Sequence, residues 1–393
     1  MARPCVLLKY GELMLKGRNR GKFEEYLRDA LRHAVDGTSA PVRISQRPGV
    51  VVLSGAPMSE LMDRARSVIG VSVVQPAWRT GRSVDDALAT VSQALAERFG
   101  GPDRVGPRRF AVRAHRRDKT FPLNSERLAA RIGSHVVEQW GWPVDLSDPE
   151  VEITVEADQR EVFVSLHKER GQGGLPVGAS GRALVLLSGG YDSPVAAYRA
   201  MRRGLRCDFV HFTGAPLTGP SSTYKAYALV RQLDRFQGGS RLHVIPIGNA
   251  QRALATAGAG KLQVVAQRRL MVRTADALAR EVGAHGLVAG DSLGQVASQT
   301  LANMATVEEV TSLPLLRPLV AWDKEEIIAE ARRIGTAEIS TLPDEDCCSL
   351  LTPPRVATRT TPSQFATVER RMELDELVPK LLADIQVHVP GAA

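Results

Sequence analysis

Leu186-Leu187-Ser188-Gly189-Gly190-Tyr191-Asp192-Ser193-Pro194 is the stretch on which the fold of this chain turns. It joins a short apolar run, Ala183–Leu187, to a helical pattern, Pro194–Arg203. Gly189 and Gly190 let the backbone turn tightly and approach a ligand with no Cβ in the way, and Ser188 and Ser193 add hydroxyl donors. Pro194 suits a first helical turn, whose free N–H groups favour an anion. Asp192 among these donors would repel phosphate unless a cation lay between them, so Mg²⁺ bridging Asp192 to the phosphates of a nucleotide is the economical expectation.

Downstream, Cys207–Phe212, Leu242–Ile247 and Gly286–Ala289 read as further short apolar strands. Helical patterns at Thr223–Phe236, Leu262–Val282 and Lys324–Ile334 lie between or after them. Alternating β and α with near-continuous apolar strands predicts a Rossmann-like parallel sheet covered on both faces, over 182–393. Upstream, Gly171-Gln172-Gly173-Gly174-Leu175-Pro176-Val177-Gly178 reads as a flexible boundary, so 169–181 is expected to be a linker. Before it, a strand at Cys5–Tyr10, a helix at Lys22–Val35 and a hairpin around Arg47-Pro48-Gly49 make a small α+β unit, 1–58. A second α+β unit, 59–168, has a helical face (Leu61, Ala65, Val68, Ile69), a helix at Ser83–Phe99 and a strand at Arg109–Ala114. A helix Glu126–Trp140 capped by Ser125 follows, then two strands around Ala157-Asp158-Gln159.

The 393 residues are 44% hydrophobic and 24% charged, which excludes wholesale disorder and fibrous repeats. The net charge of +8 points to a polyanionic partner, and residues 1–180 hold 27 basic against 22 acidic side chains. Arg104, Arg108, Arg109, Arg113, Arg116, Arg117 and Lys119 cluster against one acid, Asp118, and Lys16, Arg18, Arg20 and Lys22 form a smaller group. Such density suits phosphate neutralisation with little sequence preference, and the scarcity of aromatics favours grip by shape over base stacking. The four cysteines, Cys5, Cys207, Cys347 and Cys348, make no disulfide framework and fit a reducing compartment. With no signal peptide and no run approaching ~18 apolar residues, the expectation is a cytoplasmic protein without a membrane partner.

The SGGYDS loop resembles the SGGxDS loop of PP-loop ATP pyrophosphatases, which split ATP between its α- and β-phosphates and transfer AMP. That likeness implies ATP and leaves the acceptor open among amidation, tRNA lysidine formation and tRNA thiolation. Three further stretches follow it in order: Gly290-Asp291-Ser292-Leu293-Gly294-Gln295-Val296-Ala297-Ser298-Gln299-Thr300, Leu316-Arg317-Pro318-Leu319 and Glu345-Asp346-Cys347-Cys348-Ser349-Leu350. Together with Gly11–Arg20 near the start, they resemble the tRNA 4-thiouridine sulfurtransferases over essentially the whole chain.

The resemblance implies a ferredoxin-like domain over 1–58, a THUMP domain over 59–168 and a PP-loop domain over 182–393. It implies conversion of a tRNA uridine to 4-thiouridine, with tRNA as partner and a second role in supplying sulfur for the thiamine thiazole. Nucleotide contacts carry over to Leu186, Leu187, His211, Phe212, Arg268, Gly290 and Gln299, beside the loop's Ser188, Gly189, Gly190, Asp192 and Ser193. Cys347 takes the catalytic position, as a persulfide loaded by a cysteine desulfurase. The three acids before Cys347 should raise a thiol's pKa, which disfavours an ordinary thiolate but not the more acidic persulfide. Many relatives continue into a rhodanese domain with a second cysteine; without it, Cys348, Cys207 or an outside reductant would resolve the persulfide. Cys207 begins its strand, ~13 Å from the ligand end. Ala289–Gln299 contains no cysteine, so no iron–sulfur cluster is expected. The alternatives are a 2-thiouridine or lysidine synthase, or a tRNA-binding protein with a degenerate ATP site; a homodimer is left open.

Overall fold

The computed structural model of the chain describes residues 2–104, 106–345 and 351–390. It divides into two compact units, Met1–Gly174 and Leu175–Ala393.

The first unit opens with β1 (Arg3–Lys9), α1 (Arg20–Ala34), β2 (Arg43–Arg47), β3 (Val50–Ser54), α2 (Met58–Ala65) and β4 (Val73–Thr80). It continues with α3 (Val84–Phe99), β5 (Phe110–Arg116), α4 (Ser125–Trp140), β6 (Val151–Ala157), β7 (Val162–Ser165) and β8 (Glu169–Arg170). The strands form a single sheet in the order β2-β3-β1-β4-β7-β6-β5, with β8 added to β4. Alternation along β1 sends Val6 and Leu8 to a core with Leu27, Leu31, Leu61 and Val74, while Cys5 and Leu7 meet Phe163 on the other face. Because Leu61, Met62 and Ala65 of α2 belong to that first core, the expected boundary at 58/59 falls inside it. A second core gathers Leu88, Val91, Phe110, Leu128, Ile132 and Trp142 under α3 and α4.

Two local expectations are corrected, and one strand is added to them. Asn124, not Ser125, caps α4, its side chain accepting from Arg127 N at 2.8 Å; Ser125 is the first helical residue. Both an Asn and a Ser can cap, and only the backbone shows which residue is still extended. The glycine-rich stretch is not a loose tether up to Gly174: Gly171 N donates to Ser72 O at 2.9 Å and Gly173 N to Val71 O at 2.7 Å. A Cβ on Gly171 would come 2.4 Å from Val71 O, so glycine serves close backbone approach there. Finally β4, which no sequence signal marked, is the strand joining the two halves of the sheet, pairing with β1 along one edge. On its other edge β8 meets Val73 and Val74 and β7 meets Trp78–Thr80, so Pro76 and its missing N–H fall in the gap between them.

The second unit contains β9 (Arg182–Leu186), α5 (Asp192–Arg202), β10 (Arg206–Thr213), α6 (Ser221–Asp234), β11 (Leu242–Pro246), α7 (Gly248–Thr256) and α8 (Gln263–Glu281). After these come β12 (Leu287–Val288), α9 (Leu301–Glu308), β13 (Leu315–Leu316), α10 (Lys324–Arg333), the short α11 (Ala337–Ser340) and α12 (Ala366–Arg371), α13 (Leu374–Ala383) and β14 (Gln386–His388). The sheet order is β13-β12-β9-β10-β11-β14, parallel throughout except for β14, which runs antiparallel to β11. The chain leaves β9 toward β10 and β11, then returns to place β12 on the opposite side. That reversal opens a crevice beyond the carboxyl ends of β9 and β12, where open α/β sheets bind ligands. Among the described residues no helix is long and apolar enough to cross a membrane.

Candidate nucleotide-binding site

The loop Leu187–Tyr191 leaves the carboxyl end of β9, and α5 begins at Asp192. Its serines fold it upon itself: Ser193 Oγ accepts from Ser188 N at 2.8 Å and lies 3.1 Å from Ser188 Oγ. His211, buried on β10, is bound through Nδ1 to the Leu187 carbonyl at 2.9 Å, so it supports the loop from behind. Phe212 is buried in the core of this unit. Gly290 is required by proximity, since a Cβ there would sit 2.6 Å from Ser193 N.

Leu186, Ser188, Asp192, Ser193, Arg268, Gly290 and Gln299 line one cavity of about 260 Å³. Val264, Met271, Ala289 and Val296 supply its apolar wall. The polar part of the lining is organised by the buried Asp291, which pairs with Arg268 and accepts from Arg317 Nε at 3.2 Å and Gln299 Nε2 at 3.4 Å. Arg317 also pairs with Glu308, so the two guanidinium groups are matched by two carboxylates, and of the pair only Arg268 lines the cavity. Gln299 Oε1 is buried and has no hydrogen-bond partner among the described residues, so an acceptor faces the cavity unused.

Asp192 does not await a metal to be neutralised. Lys324 Nζ donates to its Oδ1 at 2.9 Å and Gln295 Nε2 to its Oδ2 at 3.2 Å. A carboxylate retains further lone pairs. A single carboxylate beside phosphate oxygens is the donor set Mg²⁺ usually takes, so the residues fit that ion alongside a nucleotide. Lys324, Asp291, Arg317 and Gln295 had no role assigned from sequence. Asp291, Gln295 and Arg317 lie in stretches already marked by the resemblance, and Lys324 follows the N-cap Asp323.

The thiamine biosynthesis protein (ThiI) family model matches residues 178–374, preceded by a THUMP domain over 81–167 and a ThiI ferredoxin-like domain over 5–74. A probable tRNA sulfurtransferase of Nocardia farcinica is 58% identical, across 98% of this chain and 94% of its own. One of Thermus thermophilus is 40% identical, across 96% and 92%. The chain belongs to the ThiI family of tRNA sulfurtransferases. In three dimensions it is similar to a 4-thiouridine synthetase crystallised with RNA and bound ATP, at 30% identity and a TM-score of 0.90, covering 98% of this chain and 99% of that one.

In this sulfurtransferase, Cys347 and Cys348 lie outside the described residues. Cys207 is fully buried, and desolvation with the neighbouring Asp208 pushes its thiol pKa well up. It pairs with Ala183 at the amino end of the sheet, while the loop leaves the carboxyl end. Burial likewise pushes the Cys5 thiol up to about 12.

The basic cluster of the first unit is not one free patch. Arg109 is held by Asp145, Asp148 and Glu150, Arg113 by Glu152, and Arg117 by the buried Glu156. Arg104, Arg108, Arg116 and Lys119 have no acidic partner among the described residues, and neither does Arg18. Lys16 lies 3.8 Å from Glu12.

Proposed function

We propose that this sulfurtransferase uses ATP to convert a uridine of tRNA to 4-thiouridine. The observation that carries the reading is the cavity at the switch point, where the SGGYDS loop, the Arg268–Asp291 pair and the unused Gln299 acceptor line one space. The apolar wall suits a purine, Gln299 Oε1 suits its amino group, and the loop and α5 N-terminus suit the phosphates. Uridine O4 attacks the α-phosphorus and pyrophosphate departs, turning a poor oxygen leaving group into AMP. The terminal sulfur of a Cys347 persulfide, loaded by a cysteine desulfurase, then attacks C4 and expels AMP. A second thiol takes Cys347 into a disulfide and leaves sulfur on C4. The burial and placement of Cys207 favour Cys348 or an outside thiol for that step. Mg²⁺ held by Asp192 with phosphate oxygens would neutralise charge on the departing pyrophosphate. Supply of sulfur for the thiamine thiazole would draw on the same persulfide.

The test incubates the full chain with unmodified tRNA, ATP and a desulfurase with cysteine, reading nucleosides by mass spectrometry and pyrophosphate separately. Cys347→Ser is expected to abolish 4-thiouridine while keeping tRNA-dependent pyrophosphate release. Full 4-thiouridine formation by that variant removes the persulfide role; 2-thiouridine or lysidine as product replaces the reaction.

A further inference from the structure

Lys225, on α6, is only 6% exposed, yet its side chain lies against the phosphate loop at Gly189, outside the lining of the cavity. Its Nζ donates to Asp344 Oδ1 at 3.1 Å. A Cβ on Gly189 would sit 2.4 Å from Asp344 Oδ2 and 3.0 Å from Lys225 Cδ, so carboxylate and lysine both press on the loop backbone. The adjoining segment is clipped in place: Glu345 N donates to Ser221 Oγ at 3.2 Å, and the Glu345 carboxylate accepts from Gly219 N at 2.5 Å. Ser340 Oγ adds a bond to the Gly190 carbonyl at 3.2 Å.

A buried cation beside glycines built for phosphate, answered by a carboxylate from a distant segment, is an anion site already filled by the chain's own anion. The structure assigns Lys225 as a ligand of the ATP phosphates farthest from the base, with Asp344 as the internal competitor that holds its ammonium until nucleotide arrives. This rests on the reading that ATP occupies the loop. The farther phosphates follow from position: the cavity ends at Ser188, Asp192 and Ser193, and Lys225 meets the loop beyond it, at Gly189. Two anions cannot share one buried ammonium without strong repulsion, so Asp344 yields as the phosphates bind. Asp344 stands three residues before Cys347 in the sequence, so its release couples nucleotide occupancy to the segment that bears the cysteine. By linkage, whatever favours the released segment also tightens ATP.

The test measures ATP and AMP binding to the full chain by calorimetry for Lys225→Met, Lys225→Arg and Asp344→Asn, with melting curves for each. Lys225→Met should weaken ATP by about tenfold or more while AMP changes little, and Lys225→Arg should recover most of the loss. Asp344→Asn should tighten ATP several-fold and leave AMP unchanged. Equal losses for ATP and AMP in Lys225→Met, or unchanged or weaker ATP binding in Asp344→Asn, would overturn the assignment. Should Lys225→Met fail to fold, Asp344→Asn alone decides by the same criterion. A wild-type chain that binds no ATP instead overturns the nucleotide reading beneath it.

Discussion

Single residues at this site answer to distances shorter than a side chain can negotiate. Gly290 closes β12 against the start of α5, where a methyl would lie 2.6 Å from Ser193 N and 2.8 Å from the Asp192 carbonyl carbon. Gly290→Ala is therefore expected to cost about 1–3 kcal/mol and to displace the loop. Calorimetric melting should show the destabilisation and titration the loss of ATP binding; a variant with unchanged melting and affinity would show that the two backbones separate freely. The loop itself was legible in the sequence because its glycines, hydroxyls and acid are contiguous. The counter-ion of Asp192 was not, because Lys324 lies 132 residues away and only the fold brings α10 beside α5. The acid's charge among phosphate donors calls for a cation, and the protein itself supplies an ammonium group there.

Among elements, β4 shows how pairing overrides propensity. Pro76 argues against a central strand, and the strand exists because its two neighbours on one edge stop short of the proline. The same sheet is tied across its width by Glu156 of β6, buried at 2% exposure, which takes Lys9 of β1 at 2.5 Å and also Arg117. Burial alone would raise the Glu156 pKa, but Arg117 and Lys9 outweigh it and hold the carboxyl below the usual glutamate range. A carboxyl depressed in the folded state contributes stability above its unfolded value, near ~4.3, and loses it as pH falls through the lower folded value. Glu156→Gln is expected to cost about 3 kcal/mol at neutral pH and to flatten that part of the acid loss. Denaturant unfolding followed across pH by tryptophan fluorescence checks both. An unaltered acid limb would place the pH dependence on other carboxyls.

For the whole molecule, net charge pointed to the front half as the one to meet a polyanion but could not apportion the contacts. Seven cations between Arg104 and Lys119 look equivalent in sequence, yet Arg109, Arg113 and Arg117 are engaged by acids from strands and turns far along the chain. The cations without acidic partners should carry the phosphate contacts. Arg116→Ala with Lys119→Ala is expected to reduce the salt slope of tRNA binding by about 1 per residue, without loss of stability. Arg117→Ala should instead destabilise the first unit and change the slope little. Measuring affinity at several salt concentrations, with melting curves alongside, separates the two; equal slopes for both variants would mean the ion pairs open on RNA binding.

The sequence by itself determined the class of each unit, the phosphate loop and the family, because alternating apolar runs and contiguous motifs are local properties of a chain. Only the tertiary structure decided that one sheet runs through both front domains, which cations lack an acidic partner among the described residues, and that Lys324, Lys225, Asp291 and Asp344 converge on the loop. Strand pairing and ion pairing join residues tens to more than a hundred positions apart. No local pattern encodes which of many equivalent charges will meet.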